Sequence, residues 1–212
     1  MIRVATYNLH GLRDSRAALA RVVRALAADV LCVQERGLGL AFSRLTGLEP
    51  ACHSRFSGVA VLVRPGVRVV HAEHRRLRWF PGLERRSMAV AVVEAEGLRL
   101  AAVSFHLDLH AGARLAHAVE IVRRTESVAA RFDAVPVLAG DLNELPEAAA
   151  WRHLASRYDE GGDGATFAGK RIDAIFTGRG VAALARGVAG ADEADLTVAS
   201  DHRPVVTDLR LA

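Results

Sequence analysis

The feature that most constrains this chain is where its apolar runs stop. Short β-favouring segments recur along all 212 residues, and one after another ends in an acid, an amide or an imidazole. The segments read as Ile2 to Tyr7, Val30 to Val33, Val59 to Val63, Val67 to His71, Met88 to Val93, Leu98 to Phe105, Val135 to Ala139, Arg171 to Phe176, Val181 to Val188 and Val205 to Leu211. Runs of β-branched and apolar residues this short, bounded by turn residues, favour strands. At or near their ends stand Asn8, Gln34-Glu35, His106, Asp141 and Asn143, Asp173, and Ser200-Asp201-His202. Polar groups delivered at strand ends are how α/β proteins build ligand clefts.

Helical spacing is rarer. Asp14 or Ser15 can cap a helix carrying Ala18, Leu19, Val22, Val23 and Leu26 on one stripe, which makes the opening a β-α-β unit. Ala113 to Ala130 forms a long second helix, and Leu38 to Leu48 and Glu147 to Ser156 form shorter ones. Pro65-Gly66 and Glu96-Gly97 are turn pairs, so several strands form antiparallel hairpins. Strands outnumber helices, and hairpins coexist with crossovers. The expectation is a mixed sheet, or two sheets, covered by helices. A 51% hydrophobic content supplies a large core, and the length suits one domain over residues 1–212 with no internal repeat at the level of residue identity.

Several classes are excluded early. There is no apolar stretch of about 18 residues and no cleavable leader, so a cytoplasmic location is expected, with a mature secreted form the alternative. Cys32 and Cys52 cannot build a disulfide framework, and Cys32 reads as a small buried hydrophobe. The charge balance of 28 − 24 = +4 assists contact with a polyanion without forming a basic tail. No protein partner is indicated, and a monomer is expected.

The chemistry of the strand ends is more specific. Asn8, Glu35, Asp141, Asn143 and Asp201 offer only oxygen ligands, which suits a hard cation such as Mg2+ or Mn2+. The cysteines lack zinc spacing and there is no His-Glu-x-x-His helix. Asp173 lies in an apolar strand, where an unpaired carboxylate would cost several kcal/mol, so it needs a partner such as a histidine. Taken singly, each of these residues is more often a cap or turn residue. Their joint occurrence in order carries the functional reading.

That order resembles the endonuclease/exonuclease/phosphatase family of Mg2+-dependent phosphohydrolases. The matching text is Thr6-Tyr7-Asn8, Val33-Gln34-Glu35, Ser104-Phe105-His106-Leu107, Gly140-Asp141-Leu142-Asn143, Arg171-Ile172-Asp173 and Ser200-Asp201-His202. The resemblance spans residues 2 to 210. It implies a four-layer α/β/β/α sandwich of two packed mixed sheets flanked by helices, and a hydrolase of phosphate esters. By position, Glu35 would be the principal metal ligand, with Asn8 and Asp201 nearby. Asp141 would orient or deprotonate the attacking water, and Asn143 would hold that water or the phosphoryl oxygens. His202 would contact the phosphate or act as general acid/base, Asp173 would fix its tautomer, and His106 would supply a second phosphate contact.

The chain is shorter than most relatives, which leaves the substrate open. Trp79-Phe80, set among Arg75, Arg76, Arg78, Arg85 and Arg86, is the best candidate for a substrate-gripping loop; a hairpin with a core tryptophan is the alternative. Glu84-Arg85-Arg86 reads as a solvated charge run, although Glu84 could pair with His106 as an acidic residue does in the deoxyribonuclease branch. His10 and His110 could rim the cleft. Three functions remain: a nuclease-type phosphodiesterase acting on DNA or RNA, a phosphatase or diesterase for a small metabolite or lipid head group, and a non-catalytic binding module.

Overall fold

The computed structural model describes residues 1–36, 41–54, 57–161, 163–188 and 191–211. In chain order the elements are β1 (Ile2–Asn8), α1 (Arg16–Leu26), β2 (Val30–Gln34), α2 (Ala41–Thr46), β3 (Glu49–His53), β4 (Ala60–Val63), β5 (Arg68–Arg76), β6 (Ser87–Ala95), β7 (Leu98–His106), α3 (Ala111–Phe132), β8 (Val135–Asp141), α4 (Ala149–Ala155), β9 (Asp159–Gly161), β10 (Asp173–Thr177), β11 (Val181–Val188), α5 (Glu193–Ala199) and β12 (Val205–Leu211). They form two six-stranded sheets, ordered β11-β12-β1-β2-β4-β3 and β5-β6-β7-β8-β10-β9.

Alternation along the strands explains the layering. In β4 and its approach, Val59, Val61 and Val63 face the second sheet, while Ala60 and Leu62 face the helices. In β6, Ala89, Ala91 and Val93 face inward, and Met88, Val90 and Val92 face the other way. Both faces of β4 and β6 are buried over these residues, so such segments read as continuous apolar runs rather than polar–apolar alternations. One apolar layer fills the space between the sheets. A second joins the first sheet to α1, α2 and α5, and a third joins the second sheet to α3 and α4. The four-layer sandwich is the fold expected from the sequence.

The two sheets repeat one topology. In the first, β1 and β2 are parallel, joined by α1, and β4 runs antiparallel beside β2. In the second, β7 and β8 are parallel, joined by α3, and β10 runs antiparallel beside β8. Residue identity hides this repeat, because many different apolar sequences satisfy the same layers. Its consequence is that both parallel pairs bring their C-terminal ends to one rim.

Some boundaries differ from the sequence reading. Ser15, not Asp14, caps α1, accepting from the Ala18 N–H at 3.3 Å. The helix expected over Leu38 to Leu48 is confined among the described residues to α2, and residues 37–40 lie outside them. β5 runs on to Arg76, so Arg75 and Arg76 are strand residues rather than loop. β3, β9 and α5 have no counterpart in the sequence reading.

Gly140 holds the second parallel pair at its spacing. A Cβ there would lie 2.2 Å from the Phe105 carbonyl oxygen and 2.9 Å from the Phe105 ring. Backbone cannot yield as a flexible side chain can. Gly140→Ala is therefore expected to destabilise by about 3 kcal/mol or more, read as a fall in the urea midpoint; an unchanged midpoint would show that β7 and β8 separate at no cost.

Candidate active site

Strand register assembles the rim. Asn8 ends β1 opposite Gln34, and Glu35 follows at once. His106 ends β7 opposite Asp141, and Asp141 pairs across to Asp173 at the start of β10. His202 arrives from the loop before β12, fixed by its N–H to the Ser200 hydroxyl at 3.2 Å. Ser200 is itself anchored on the Asn8 carbonyl at 2.8 Å. Glu35 and Asn143 both have left-handed backbone, with φ of 49° and 53°. Asparagine accepts that conformation readily, but glutamate does not, so Glu35 is held there by its surroundings.

Asn8 joins the two sheets' carboxylates. Its Nδ2 donates to Glu35 Oε1 at 3.3 Å and to Asp141 Oδ2 at 3.0 Å, while its Oδ1 accepts from the His10 N–H at 3.1 Å. In this arrangement Asn8 orients carboxylates rather than presenting its own oxygen. Asn143 is pinned similarly. Its Nδ2 donates to the Leu107 carbonyl at 3.1 Å and faces His106 Nε2 at 2.9 Å. A carbonyl can only accept, so the amide orientation follows, and His106 Nε2 must accept as well. The proton of a neutral His106 therefore sits on Nδ1. The Asn143 N–H donates to Asp141 Oδ1 at 2.8 Å.

His202 is the electrostatic centre. Its Nδ1 lies 2.9 Å from Asp173 Oδ2, and its Nε2 lies 3.9 Å from Asp141 Oδ2. Burial disfavours its charge, but the hydrogen bond to Asp173 and the carboxylates of Asp173, Asp141 and Asp201 outweigh that, and its pKa rises to about 9. His106 goes the other way: burial, then the charges of Arg86 and His202, hold it well below 6.5. Burial and the facing Asp173 push Asp141 up to about 7, against the pull of His202. One imidazole is charged at neutral pH and its neighbour is not. Phe167 packs on the His202 ring, with centroids 4.7 Å apart.

Glu35, His106, Asp141, Asn143 and His202 line a cleft of about 580 Å³ together with Arg13, Arg36, Arg85 and Arg86, while Asn8 and Asp173 hold them from behind the lining. Asp201 stands at its rim, with a 41% exposed side chain and Oδ2 3.7 Å from His10 Nε2. His10 thus lines the cleft, whereas His110 does not. Glu84 does not pair with His106: it is 75% exposed and sits 3.1 Å from Arg86. Nor is Arg86 a solvated charge, since its side chain is 11% exposed with Nε 3.7 Å from Asp108. Trp79 is neither core nor cleft. It is 47% exposed, donates from Nε1 to the Leu83 carbonyl at 3.1 Å, and carries the Arg85 guanidinium over its ring.

Sequence reasoning also passed over Glu144, and it noted Thr166-Phe167 just before Arg171-Ile172-Asp173 without giving Thr166 a role. Glu144 takes Arg114 of α3 at 2.7 Å and the Trp151 N–H at 2.6 Å, fixing the loop after Asn143. The Thr166 hydroxyl receives the N–H groups of Ile172 and Asp173 at 3.1 and 3.2 Å. Its place one residue before Phe167 was the available signal.

Asp141, Asp173 and His202 each place a potential ligand atom within 4.8 Å of the others. That trio could hold a metal, but His202 Nδ1 is committed to Asp173, and a protonated imidazole is no ligand. Glu35, beside Asp141 and joined to it through Asn8, is the better-placed donor. Asp141 and Asp173 lie close together, Glu35 approaches Asp141 through their shared donor Asn8 Nδ2, and Asp173 Oδ1 has no hydrogen-bond partner among the described residues. An all-oxygen set with excess negative charge fits a hard divalent cation.

A twofold α/β sandwich with a charged imidazole–carboxylate pair and a cation-fitting acidic set at its shared rim defines a class of hydrolase. The chain belongs to the endonuclease/exonuclease/phosphatase family, whose sequence pattern matches residues 5–202. Members of that family are phosphoester hydrolases, generally dependent on a divalent metal. No curated protein sequence matches the chain. Among solved structures, a functionally unknown conserved protein of Enterococcus faecalis is 16% identical with a TM-score of 0.82, all of both chains being covered. A mannosyl-6-phosphatase of Bacteroides thetaiotaomicron is 18% identical with a TM-score of 0.81, again over all of both chains. The human Nocturnin catalytic domain with bound sulfate is 17% identical with a TM-score of 0.77, covering 100% of this chain and 94% of that one. At these identities the likeness is one of fold. Among the described residues no helix is long and apolar enough to cross a membrane.

Proposed function

We propose that this protein is an Mg2+- or Mn2+-dependent phosphodiesterase acting on nucleic acid. The observation that carries the hydrolytic reading is the charged His202–Asp173 pair directed at Asp141 beside Glu35. The polyanion preference rests on the four arginines around the cleft. Glu35 would hold the cation, with Asn8 orienting its carboxylate and Asp201 closing the rim. Bound there, the cation supplies charge neutralisation of the phosphate oxygens.

The remaining steps belong to side chains. Asp141 accepts a hydrogen bond from the attacking water and orients it, and the Asn143 amide oxygen, free of its own amide's contacts, takes the second hydrogen. His202 donates from Nε2 to a phosphate oxygen as negative charge concentrates there, and Asp173 holds the proton on Nδ1. His106, neutral and turned to Asn143, positions that amide; it gains a phosphate contact of its own by turning from Asn143.

A metabolite phosphatase is the second reading, favoured by the size of the cleft, which suits a small molecule, and by the fold shared with a mannosyl-6-phosphatase. Nicking of supercoiled plasmid with Mg2+ or Mn2+, against EDTA and Asp141→Ala controls, separates the two. Metal-dependent nicking lost in the variant supports the diesterase; phosphate release from monoesters without nicking favours the second reading.

The cation site has a test free of turnover. A ligand at 100 times its Kd stabilises by about 2.7 kcal/mol. Saturating Mg2+ or Mn2+ is expected to raise the wild-type Tm, and Glu35→Gln to remove most of that rise. Equal shifts in both proteins would place the cation elsewhere.

A further inference from the structure

Two guanidinium groups remain unexplained by the reaction centre. Arg36 and Arg86 both line the cleft, and the Nε of each is buried without a hydrogen-bond partner among the described residues. Arg36 makes no ion pair there; its backbone N–H alone is engaged, donating to the Gly58 carbonyl at 2.8 Å. Arg86 has Glu84 at 3.1 Å and Asp108 at 3.7 Å, neither satisfying Nε. A buried donor left unsatisfied is costly, and more so when charged. Such a donor in an open cleft marks the place of an absent acceptor.

Their placement says which part of the ligand they meet. Arg36 follows β2 of the first sheet and Arg86 precedes β6 of the second, and the two sheets face each other there through β4 and β6. His202 and Phe167, on the reaction-centre side, enter the cleft from beside β12 and β10. Gly58, Ser57 and Ser87 line the arginine end, two of them with hydroxyls. The phosphate under attack already has the His202 Nε2 proton and the cation to meet its charge, so an acceptor for the unsatisfied Nε groups of Arg36 and Arg86 is read as a second group.

We infer that Arg36 and Arg86 form a second phosphate subsite, so that preferred substrates carry another phosphate next to the one hydrolysed. Forked guanidinium donors match phosphate oxygens. The inference rests on the phosphoester-hydrolase reading and deepens it, since an adjacent phosphate is supplied either by the next link of a nucleic-acid strand or by a small bisphosphate.

The test is binding, in EDTA, of matched pairs: methylenebisphosphonate against methylphosphonate, and d(TpTpT) against d(TpT). Wild type is expected to favour the second phosphate by about tenfold or more in at least one pair, about one charge-assisted contact's worth. Arg36→Gln is expected to reduce that ratio to within about twofold, and Arg36→Lys to leave an intermediate value. Because Arg36→Gln removes a desolvated, unpaired charge, its Tm should rise by about 2–4 °C. A preference confined to the nucleotides assigns the strand's neighbouring phosphate; one confined to the phosphonates assigns a small bisphosphate. Ratios near one in both pairs, or ratios untouched by Arg36→Gln and Arg36→Lys, overturn the subsite. Binding ratios as expected in a protein that hydrolyses no phosphate ester would retire the hydrolase reading and keep the subsite.

Discussion

His202→Ala is expected to lower kcat on a phosphate ester by about 10³-fold, within the range for loss of a general acid. His202 is the charged donor nearest Asp141, and His106 cannot replace it. Burial and the charges of Arg86 and His202 keep His106 neutral, and its Nε2 is occupied with Asn143. Asp173→Asn should act less severely and differently. Without the carboxylate at 2.9 Å, the imidazolium loses its principal support, so the alkaline limb of the rate profile moves from near 9 toward 6.5. A His202→Ala enzyme that turns over as fast as wild type would remove His202 from the mechanism.

Most of the frame could be read from residues, for a definable reason. β1, β2, β7 and β8 are buried on both faces, so their sequences are largely apolar, broken by Arg3 and Thr6 in β1 and Arg99 and Ser104 in β7, and each runs into its polar terminus without ambiguity. Edge elements leave a fainter trace. β3 contains Pro50 and buries only Cys52, and β9 has three residues, so neither has a period to detect. α5 did carry a signal: Asp192 accepts from the Ala194 N–H at 2.8 Å, with Glu193 and Asp195 in the first turn. Its seven residues offer too short a stripe to stand out. For the site, residue types identified the cluster, but hydrogen-bond direction did not follow from them. That Asn8 turns its oxygen to His10, and that Arg86 is enclosed rather than solvated, depends on which strands lie opposite, which is a tertiary fact.

The protein held in EDTA is expected to lose about 2–3 kcal/mol of stability between pH 6.5 and 8.5. His202 has a folded pKa of about 9 against 6.5 when unfolded, so its contribution is complete below 6.5 and is lost as pH climbs through 9. Asp141, raised to about 7, also binds its proton more tightly in the folded state, so its effect falls off in the same direction, from the ordinary carboxylate range upward. The two share one attraction and add to less than their sum. His106 has the opposite sign. Held well below 6.5, it leaves the unfolded chain to gain a proton first, so it removes stability as pH falls below 6.5 and offsets Asp141 there. Above 8.5 the buried Cys32 and Cys52 thiols, both raised by burial, begin to contribute. The interval from 6.5 to 8.5 is therefore dominated by the His202 cluster, with His74 and His153, both lowered by burial, adding only the tail of the opposite effect near 6.5. Urea melts across it should give a falling stability for wild type and a nearly level one for the His202→Gln/Asp141→Asn double variant, because His202→Gln alone frees Asp141 from the pull of His202 and leaves it titrating across the interval. An equally steep fall in that variant would mean that the imidazolium is not what couples this site to folding.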